Sequence, residues 1–172
     1  MTDWIERIRA VPDFPRPGVL FRDVTPLLAD ARGLAACVAA LAEPWRAARV
    51  GVVAGVEARG FIFGAALARE LGAGFVPLRK PGKLPPPVES VEYALEYGHD
   101  RLEAGRDAIA PGQRVLLVDD VLATGGTLVA ARRLIERLHG VLVGAGVVIE
   151  LPALGARARW GTATPLQALV RY

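Results

Sequence analysis

A chain of 172 residues with a net charge of +3 and dispersed arginines is long enough for one buried core, gives little reason to expect nucleic acid, and leaves a small polyanionic ligand open. Apolar residues make up 52% of it and its mean hydropathy is +0.32, which points to subunit-interface surface and a homodimer, while the longest apolar run, 140–149, falls far short of the roughly 20 residues of a membrane span. Cys37 is the only cysteine, which excludes an intrachain disulfide and fits a cytoplasmic location; Ser90 as the only serine rules out a G-x-S-x-G nucleophile, and His99 and His139 offer no zinc-ligand spacing.

Asp3 with Glu6 three residues later makes a capping-box-like start to a short helix through Arg9, carries the wrong charge for a secretory signal, and is stopped by Pro12, Pro15 and Pro17. A helix is predicted over 31–42, a buried strand over 50–56, a helix over 60–71 closed by Gly72, and a strand over 75–78. Residues 79–113 break the rhythm. Pro81, Pro85, Pro86, Pro87 and many charges leave no long helical or buried-strand pattern there, so a mobile lid is expected, with a short hairpin over 91–103 turning at Gly98-His99-Asp100. Strands follow at 114–118 and 141–149, separated by a helix over 127–139 with Leu134, Ile135 and Leu138 as its inward stripe. This alternation predicts a single α/β domain over 1–172, a doubly wound, mainly parallel sheet flanked by helices, with an amino-terminal arm or hood over about 1–30.

The stretch that carries chemistry is Val115-Leu116-Leu117-Val118-Asp119-Asp120-Val121-Leu122-Ala123-Thr124-Gly125-Gly126-Thr127, a buried strand delivering two acids, a small-residue loop and the start of a helix. Parallel sheets bind ligands at the carboxyl ends of their strands. Gly125 and Gly126 let the backbone turn its amides inward, Thr124 and Thr127 add hydroxyls, and the helix dipole completes a site for a phosphate dianion. Asp119 and Asp120 would repel that phosphate if they faced it, so they suit sugar hydroxyls and a nearby hydrated Mg²⁺.

These thirteen residues resemble, position for position, the phosphoribosyl-pyrophosphate-binding motif of the type I phosphoribosyltransferases. The resemblance implies that family's fold, places the 5′-phosphate on Ala123, Thr124, Gly125, Gly126 and Thr127, and places the ribose hydroxyls on Asp119 and Asp120. It also implies a Mg²⁺ cofactor held mainly by substrate oxygens and water, near those two aspartates. Four further blocks are similar to the adenine-specific members and extend the resemblance over essentially the whole chain. Phe14-Pro15-Arg16-Pro17-Gly18-Val19-Leu20-Phe21-Arg22-Asp23-Val24-Thr25-Pro26 resembles the base-recognition segment, and Glu57-Ala58-Arg59-Gly60-Phe61 the pyrophosphate loop. Arg79-Lys80-Pro81-Gly82-Lys83-Leu84-Pro85 and Tyr93-Ala94-Leu95-Glu96-Tyr97-Gly98 resemble the two ends of the catalytic lid. The activity implied is transfer of the phosphoribosyl group from phosphoribosyl pyrophosphate to adenine, giving AMP and pyrophosphate, without nucleic acid or membrane as a partner.

Within that frame Leu20 and Phe21 would sandwich the flat base while the backbone at Arg22 pairs with its edge; otherwise they pack a proline-rich arm. Arg59 offers a guanidinium fork to pyrophosphate, or is a solvated surface arginine. Lys80 and Lys83, the only lysines against 19 arginines (21 less 2), stand at the lid's edge as pyrophosphate contacts. Ala123 occupies a loop position where the oxopurine and orotate members usually carry an acid, and the resemblance assigns the catalytic acid to Glu96, which lid closure would desolvate; its alternative is one more exposed lid acid beside Glu89, Glu92 and Glu103. His139 reads as a dipole partner in a last helical turn, His99 as a turn tip, and Glu150 as a strand-capping acid or one within reach of the site. No residue after Glu150 is assigned. Two rival functions share the motif: the same transfer to hypoxanthine or guanine, and a non-catalytic regulator that senses phosphoribosyl pyrophosphate.

Overall fold

The computed structural model describes residues 4–94, 99–161 and 163–172. The chain packs as two compact units, Met1–Ala40 and Leu41–Tyr172. In the smaller unit a 3-10 turn at Trp4–Arg7 replaces the helix expected through Arg9, because the chain extends at once into β1 (Arg9–Val11), which pairs antiparallel with β2 (Phe21–Asp23). Pro12, Pro15 and Pro17 fill the connection between these strands and hide the pair from sequence patterning. Asp23 starts α1 (Thr25–Leu28): its carboxylate accepts the Thr25 amide at 2.9 Å and an Arg9 guanidinium N–H at 2.6 Å. The bonds from Thr25, and then that from Arg9, lower its pKa to about 2. Helix α2 (Ala31–Ala42) has the predicted bounds.

The larger unit runs β3 (Val52–Val56), α3 (Arg59–Leu71), β4 (Gly74–Leu78), β5 (Val88–Ala94), β6 (His99–Gly105), β7 (Arg114–Leu122), α4 (Gly126–Arg137), β8 (Val141–Glu150), α5 (Ala156–Trp160) and β9 (Leu166–Arg171). Five of these strands form one sheet in the order β4-β3-β7-β8-β9, every neighbouring pair parallel. Every residue of β3 is buried, as are residues 115–118 of β7, the continuous apolar run expected of a parallel sheet covered on both faces. Helix α3 packs on β3 and β7, and α4 on β7, β8 and the β5–β6 hairpin. Among the described residues no helix is long and apolar enough to cross a membrane.

Three sequence expectations need correction here. Strand β7 does not stop at Val118: pairing of Asp119 with Val147, Val121 with Ile149 and Leu122 with Glu150 keeps it extended, so both acids lie within the strand. Helix α4 ends at Arg137, and His139 lies beyond it with φ +59°, where the Gly140 amide closes the helix end on the Ile135 carbonyl at 3.0 Å. The lid segment is more regular than its prolines suggest. Strands β5 and β6 pair from Val88–Gly105 to Ala94–His99, so His99 and Asp100 belong to a strand rather than a turn. The hairpin buries Val91, Tyr93, Leu102 and Ala104, and Arg79 and Glu103 exchange backbone bonds of 2.8 and 2.7 Å that tie it to the end of β4. Glu103, read as an exposed acid, is buried; it accepts the Gly82 amide at 3.0 Å and pairs with Arg101 at 3.2 Å. The alternation of charged with apolar residues that predicted a hairpin is thus borne out, with strands that run beyond 91–103 at both ends.

The stretch after β8, silent in the sequence, supplies α5 and the edge strand β9. Buried Glu150 joins them. Its carboxylate accepts two bonds from Arg157, at 2.8 and 2.9 Å, and pairs with Arg171 at 3.0 Å. The Arg157 bonds hold it below the usual glutamate range against the opposing effect of burial. Since a depressed folded pKa stabilises the protein above the unfolded value, that contribution is complete at neutral pH. Glu150→Gln is therefore expected to destabilise by about 1–3 kcal/mol in urea titrations at pH 7. The wild-type advantage should shrink as pH falls below the ordinary value of 4.5 and vanish once the folded carboxyl titrates. Equal unfolding midpoints at pH 7 would contradict this role.

Candidate active site

All five strands of the large sheet point the same way, so the segments that leave β3, β4 and β7 emerge at one end of it. That direction gathers Arg59, Lys80, Lys83, Asp119, Asp120 and the loop of Ala123, Thr124, Gly125, Gly126 and Thr127 on the carboxyl edge, where parallel sheets bind ligands. Leu20, Phe21 and Arg22 belong to the smaller unit; there Phe21 and Arg22 lie in β2, Leu20 is half-exposed, and the Phe21 ring meets Phe14 edge-on at 5.2 Å. Glu96 lies outside the described residues.

Past Leu122 the chain bends through 123–125 and α4 begins at Gly126. Gly125 is fixed twice over. Its φ of +82° is a region where side chains are strained, and an added Cβ would stand 3.1 Å from the Ala156 methyl. As the residue capping α4 it has no side chain to satisfy the first-turn amides, so these, the positive end of the helix and the Thr127 hydroxyl together suit an anion.

The acids of β7 are tightly placed. Asp119 Oδ1 accepts the Asp120 amide at 2.9 Å, and the buried Asp120 carboxylate accepts the Nε–H of Arg59, the first residue of α3. Burial, and then the neighbouring Asp120 charge, push the Asp119 carboxyl well above the usual range, with Arg59 acting in the opposite sense. Gly60 controls the distance between α3 and these acids: a Cβ there would lie 2.9 Å from Asp119 Oδ1 and 3.1 Å from the Val118 carbonyl.

On the basic side Glu57 is the organiser. Its carboxylate accepts the Lys80 amide at 2.8 Å and the Lys83 ammonium at 3.1 Å, and lies 3.5 Å from Arg79 Nε. The Lys80 amide first, with Lys83 and Arg79 behind it, holds Glu57 below the ordinary glutamate range against burial. The Glu57–Ala58 peptide is cis. Lys80 Nζ pairs with Asp100 and donates to the Tyr93 hydroxyl at 2.9 Å, and that hydroxyl lies 3.5 Å from Thr127 Oγ1. Glu57, Gly60 and Tyr93 enter the sequence reading only as members of family-like blocks, and Asp100 only as part of an expected turn; none has a role of its own there. Tyr93 carried a usable signal in its alternation with Val91, whereas Asp100 was hidden by the turn expected around it. Among the described residues no group of three or more His, Cys, Asp or Glu converges as a metal site, and the adjacent acids Asp119 and Asp120 remain the only carboxylate pair on β7.

The family described as the phosphoribosyl transferase domain matches residues 27–159. An adenine phosphoribosyltransferase of Xanthomonas campestris pv. campestris is 55% identical over 99% of this chain and 92% of its own. The chain belongs to the phosphoribosyltransferase family. Among solved structures, the adenine phosphoribosyltransferase of Rhodothermus marinus superposes with a TM-score of 0.93 at 47% identity, covering 98% of this chain and 96% of its own. The Saccharomyces cerevisiae enzyme, complexed with an imino-altritol bisphosphate and adenine, gives 0.92 at 36% identity, covering 98% and 97%. The parallel sheet and its flanking helices are thus the phosphoribosyltransferase fold.

For a phosphoribosyltransferase the closeness of Gly60 to Asp119 has a measurable consequence. Gly60→Ala must turn the Asp119 carboxylate aside, since the methyl would stand 2.9 Å from its Oδ1. Affinity for a phosphorylated ribose, measured by calorimetry, should fall at least about tenfold, the scale of one hydrogen bond to a charged group. Thermal unfolding should fall as well, since the Val118 carbonyl would stand 3.1 Å from the methyl, so affinity is read at a temperature where the variant is fully folded. Unchanged affinity would show that the position of Asp119 is irrelevant to binding.

Proposed function

We propose that this chain transfers the phosphoribosyl group from phosphoribosyl pyrophosphate to adenine, giving AMP and pyrophosphate. The observation that carries the reading is the end of β7, where Asp119, Asp120 and the glycine-cornered start of α4 follow one another on the carboxyl edge of a parallel sheet. Relatives named adenine phosphoribosyltransferase, and the adenine held by the yeast enzyme, support adenine as the base.

The main-chain amides from Ala123 to Thr127 hold the 5′-phosphate, and Asp119 and Asp120 accept bonds from the ribose hydroxyls. Arg59, Lys80 and Lys83 take up the charge of the departing pyrophosphate. Leu20 and Phe21 enclose the base, the backbone at Arg22 meets its edge, and Glu96, on the lid, manages the proton at its N7 side. The donor set of the two aspartates fits a hydrated cation better than a fully coordinated one, because Asp120 is already paired with Arg59 and Asp119 Oδ1 already accepts the Asp120 amide. Asp119 and Asp120 would stand beside a Mg²⁺ held mainly by substrate oxygens and water, which when bound would supply charge neutralisation for the leaving group. Displacement at the anomeric carbon through an oxocarbenium-like transition state leaves little covalent work to the protein, whose task is alignment and exclusion of water by the lid. The apolar excess of the chain, with Ile62, Val141 and Leu154 exposed in the larger unit, supports a homodimer, and a lone buried Cys37 suits the cytoplasm.

Offered adenine, hypoxanthine and guanine separately with phosphoribosyl pyrophosphate and Mg²⁺, the protein should release pyrophosphate with adenine alone. Turnover of an oxopurine would move the base assignment, and tight donor binding without turnover of any base would favour a sensor. Changing Asp119→Asn and Asp120→Asn together should lower kcat/KM for the donor by at least about a hundredfold while the far-ultraviolet circular dichroism is retained. Undiminished turnover in that double variant would remove both acids from the mechanism.

A further inference from the structure

Lys80 is tied at both ends. Its amide donates to Glu57 at 2.8 Å, and its ammonium donates to the Tyr93 hydroxyl at 2.9 Å and pairs with Asp100 Oδ2. The ammonium also lies 5.5 Å from the centre of the Tyr93 ring. These two partners face each other directly across the β5–β6 hairpin, in register Tyr93 to Asp100. Each is itself immobilised. The Tyr93 side chain is buried and its hydroxyl donates to Asp100 Oδ2 at 3.1 Å, while Asp100 Oδ1 accepts the Arg101 amide at 2.7 Å.

We propose that Asp100, acting with Tyr93, is a positioning residue for the pyrophosphate half of the reaction, holding the Lys80 ammonium in place before the polyphosphate arrives. This rests on the reading of Lys80 as a pyrophosphate contact. A lysine side chain is among the costliest to order, so one that is ordered in the free protein loses less on binding. Its ammonium has three donors, and two tethers leave a third to turn toward a phosphate oxygen. The tether also sets where that donor sits, because the Tyr93 hydroxyl lies 3.5 Å from Thr127 Oγ1 in the loop assigned to the 5′-phosphate. The lysine is thereby placed relative to the other end of the same ligand. Burial alone would disfavour the charged amine, yet the bonds to Asp100 and Tyr93 outweigh it and hold the ammonium above the ordinary lysine range. Asp100 by itself would repel a polyphosphate, but Lys80 already matches its charge, so orientation dominates over repulsion.

The experiment is a kinetic cycle on the full-length protein, using Asp100→Ala, Asp100→Asn, Tyr93→Phe, Lys80→Ala and the Lys80→Ala/Asp100→Ala double variant. Donor KM is measured at saturating adenine, adenine KM at saturating donor, and the unfolding temperature of each variant. Asp100→Ala should raise the donor KM about three- to tenfold, on the scale of freeing one lysine side chain, with adenine KM and unfolding temperature nearly unmoved. Asp100→Asn, which keeps an oxygen acceptor, should recover most of that loss, and Tyr93→Phe should show part of it. In the Lys80→Ala background the Asp100→Ala change should add nothing, because its effect passes through the lysine. Three results would overturn the inference while leaving Lys80 as a ligand contact: an unaltered donor KM in Asp100→Ala, a full additive loss in the double variant, or an Asp100→Asn protein with donor KM below wild type. If Lys80→Ala leaves the donor KM unmoved, the pyrophosphate role of Lys80 is itself wrong and the inference falls with it.

Discussion

The parallel direction of β4, β3 and β7 is the constraint from which the site follows. Register places Val56 beside Leu78 and Gly55 beside Val118, so the segments that leave the first two strands start level with each other while β7 runs on to Leu122. Neighbouring strands lie about 4.8 Å apart, and three of them therefore spread their loops over about 10 Å, the scale of a pentose flanked by phosphates. An antiparallel partner at any of these positions would have sent its loop to the opposite end. Parallel pairing inside the sheet also demands burial on both faces, which is why β3 and residues 115–118 of β7 are nearly uninterrupted runs of valine, leucine and alanine, whereas the edge strand β4 is only partly buried.

Charge at that edge is arranged in matched pairs. Arg59 faces Asp120, Lys80 faces Asp100, and Glu57 gathers the Lys80 amide and the Lys83 ammonium, so all three cations assigned to pyrophosphate have an acid beside them. A bare cluster of cations would repel itself and cost stability; paired, it remains folded and keeps its geometry. Each pair also fixes its cation in one place, and Lys80, with two of its three donors engaged, keeps the third for a further acceptor. Asp119 stands apart from this balance. Burial and then its neighbour's charge disfavour its ionisation, against the Asp120 amide and the Arg59 charge, which favour it.

Local order made part of this legible in the sequence. The segment from Val115 to Thr127 keeps strand, acids, loop and helix start consecutive, so spacing alone placed them on one edge, and α2 showed its full length through uninterrupted helical periodicity. What stayed hidden depends on contacts between distant segments. Tyr93 and Asp100 meet Lys80 only because β5 and β6 pair in one register and Arg79 bonds to Glu103, neither of which is written in any short window. The extension of β7 through Asp119 and Asp120 is likewise a property of its partner β8, since two consecutive aspartates have poor intrinsic strand preference and read locally as an end. His139 misled for a related reason: a left-handed residue after a helix is most often glycine, and the pattern pointed one position further, to Gly140.

The carboxyl-terminal stretch shows how a region without chemistry of its own governs the site. Glu150 ends β8 and draws Arg157 and Arg171 onto one buried carboxylate, which fixes α5 against the strand ends. Arg157 also donates to the Leu166 carbonyl at 3.1 Å, and the Leu151 amide bonds to the Leu122 carbonyl at 3.0 Å, so the same segment is stitched to the last residue of β7. Ala156 at the start of α5 then lies against Gly125, close enough that the loop corner has no room for a methyl. The open conformation of Gly125 is therefore imposed from behind as well as allowed by its lack of a side chain. Loosening α5 would relax the corner that aims the α4 amides, although no residue of α5 belongs to the proposed phosphate contacts. The motif taken alone understates this dependence, because the support consists of an arginine–glutamate cluster and a small residue whose roles exist only once the strands are assembled.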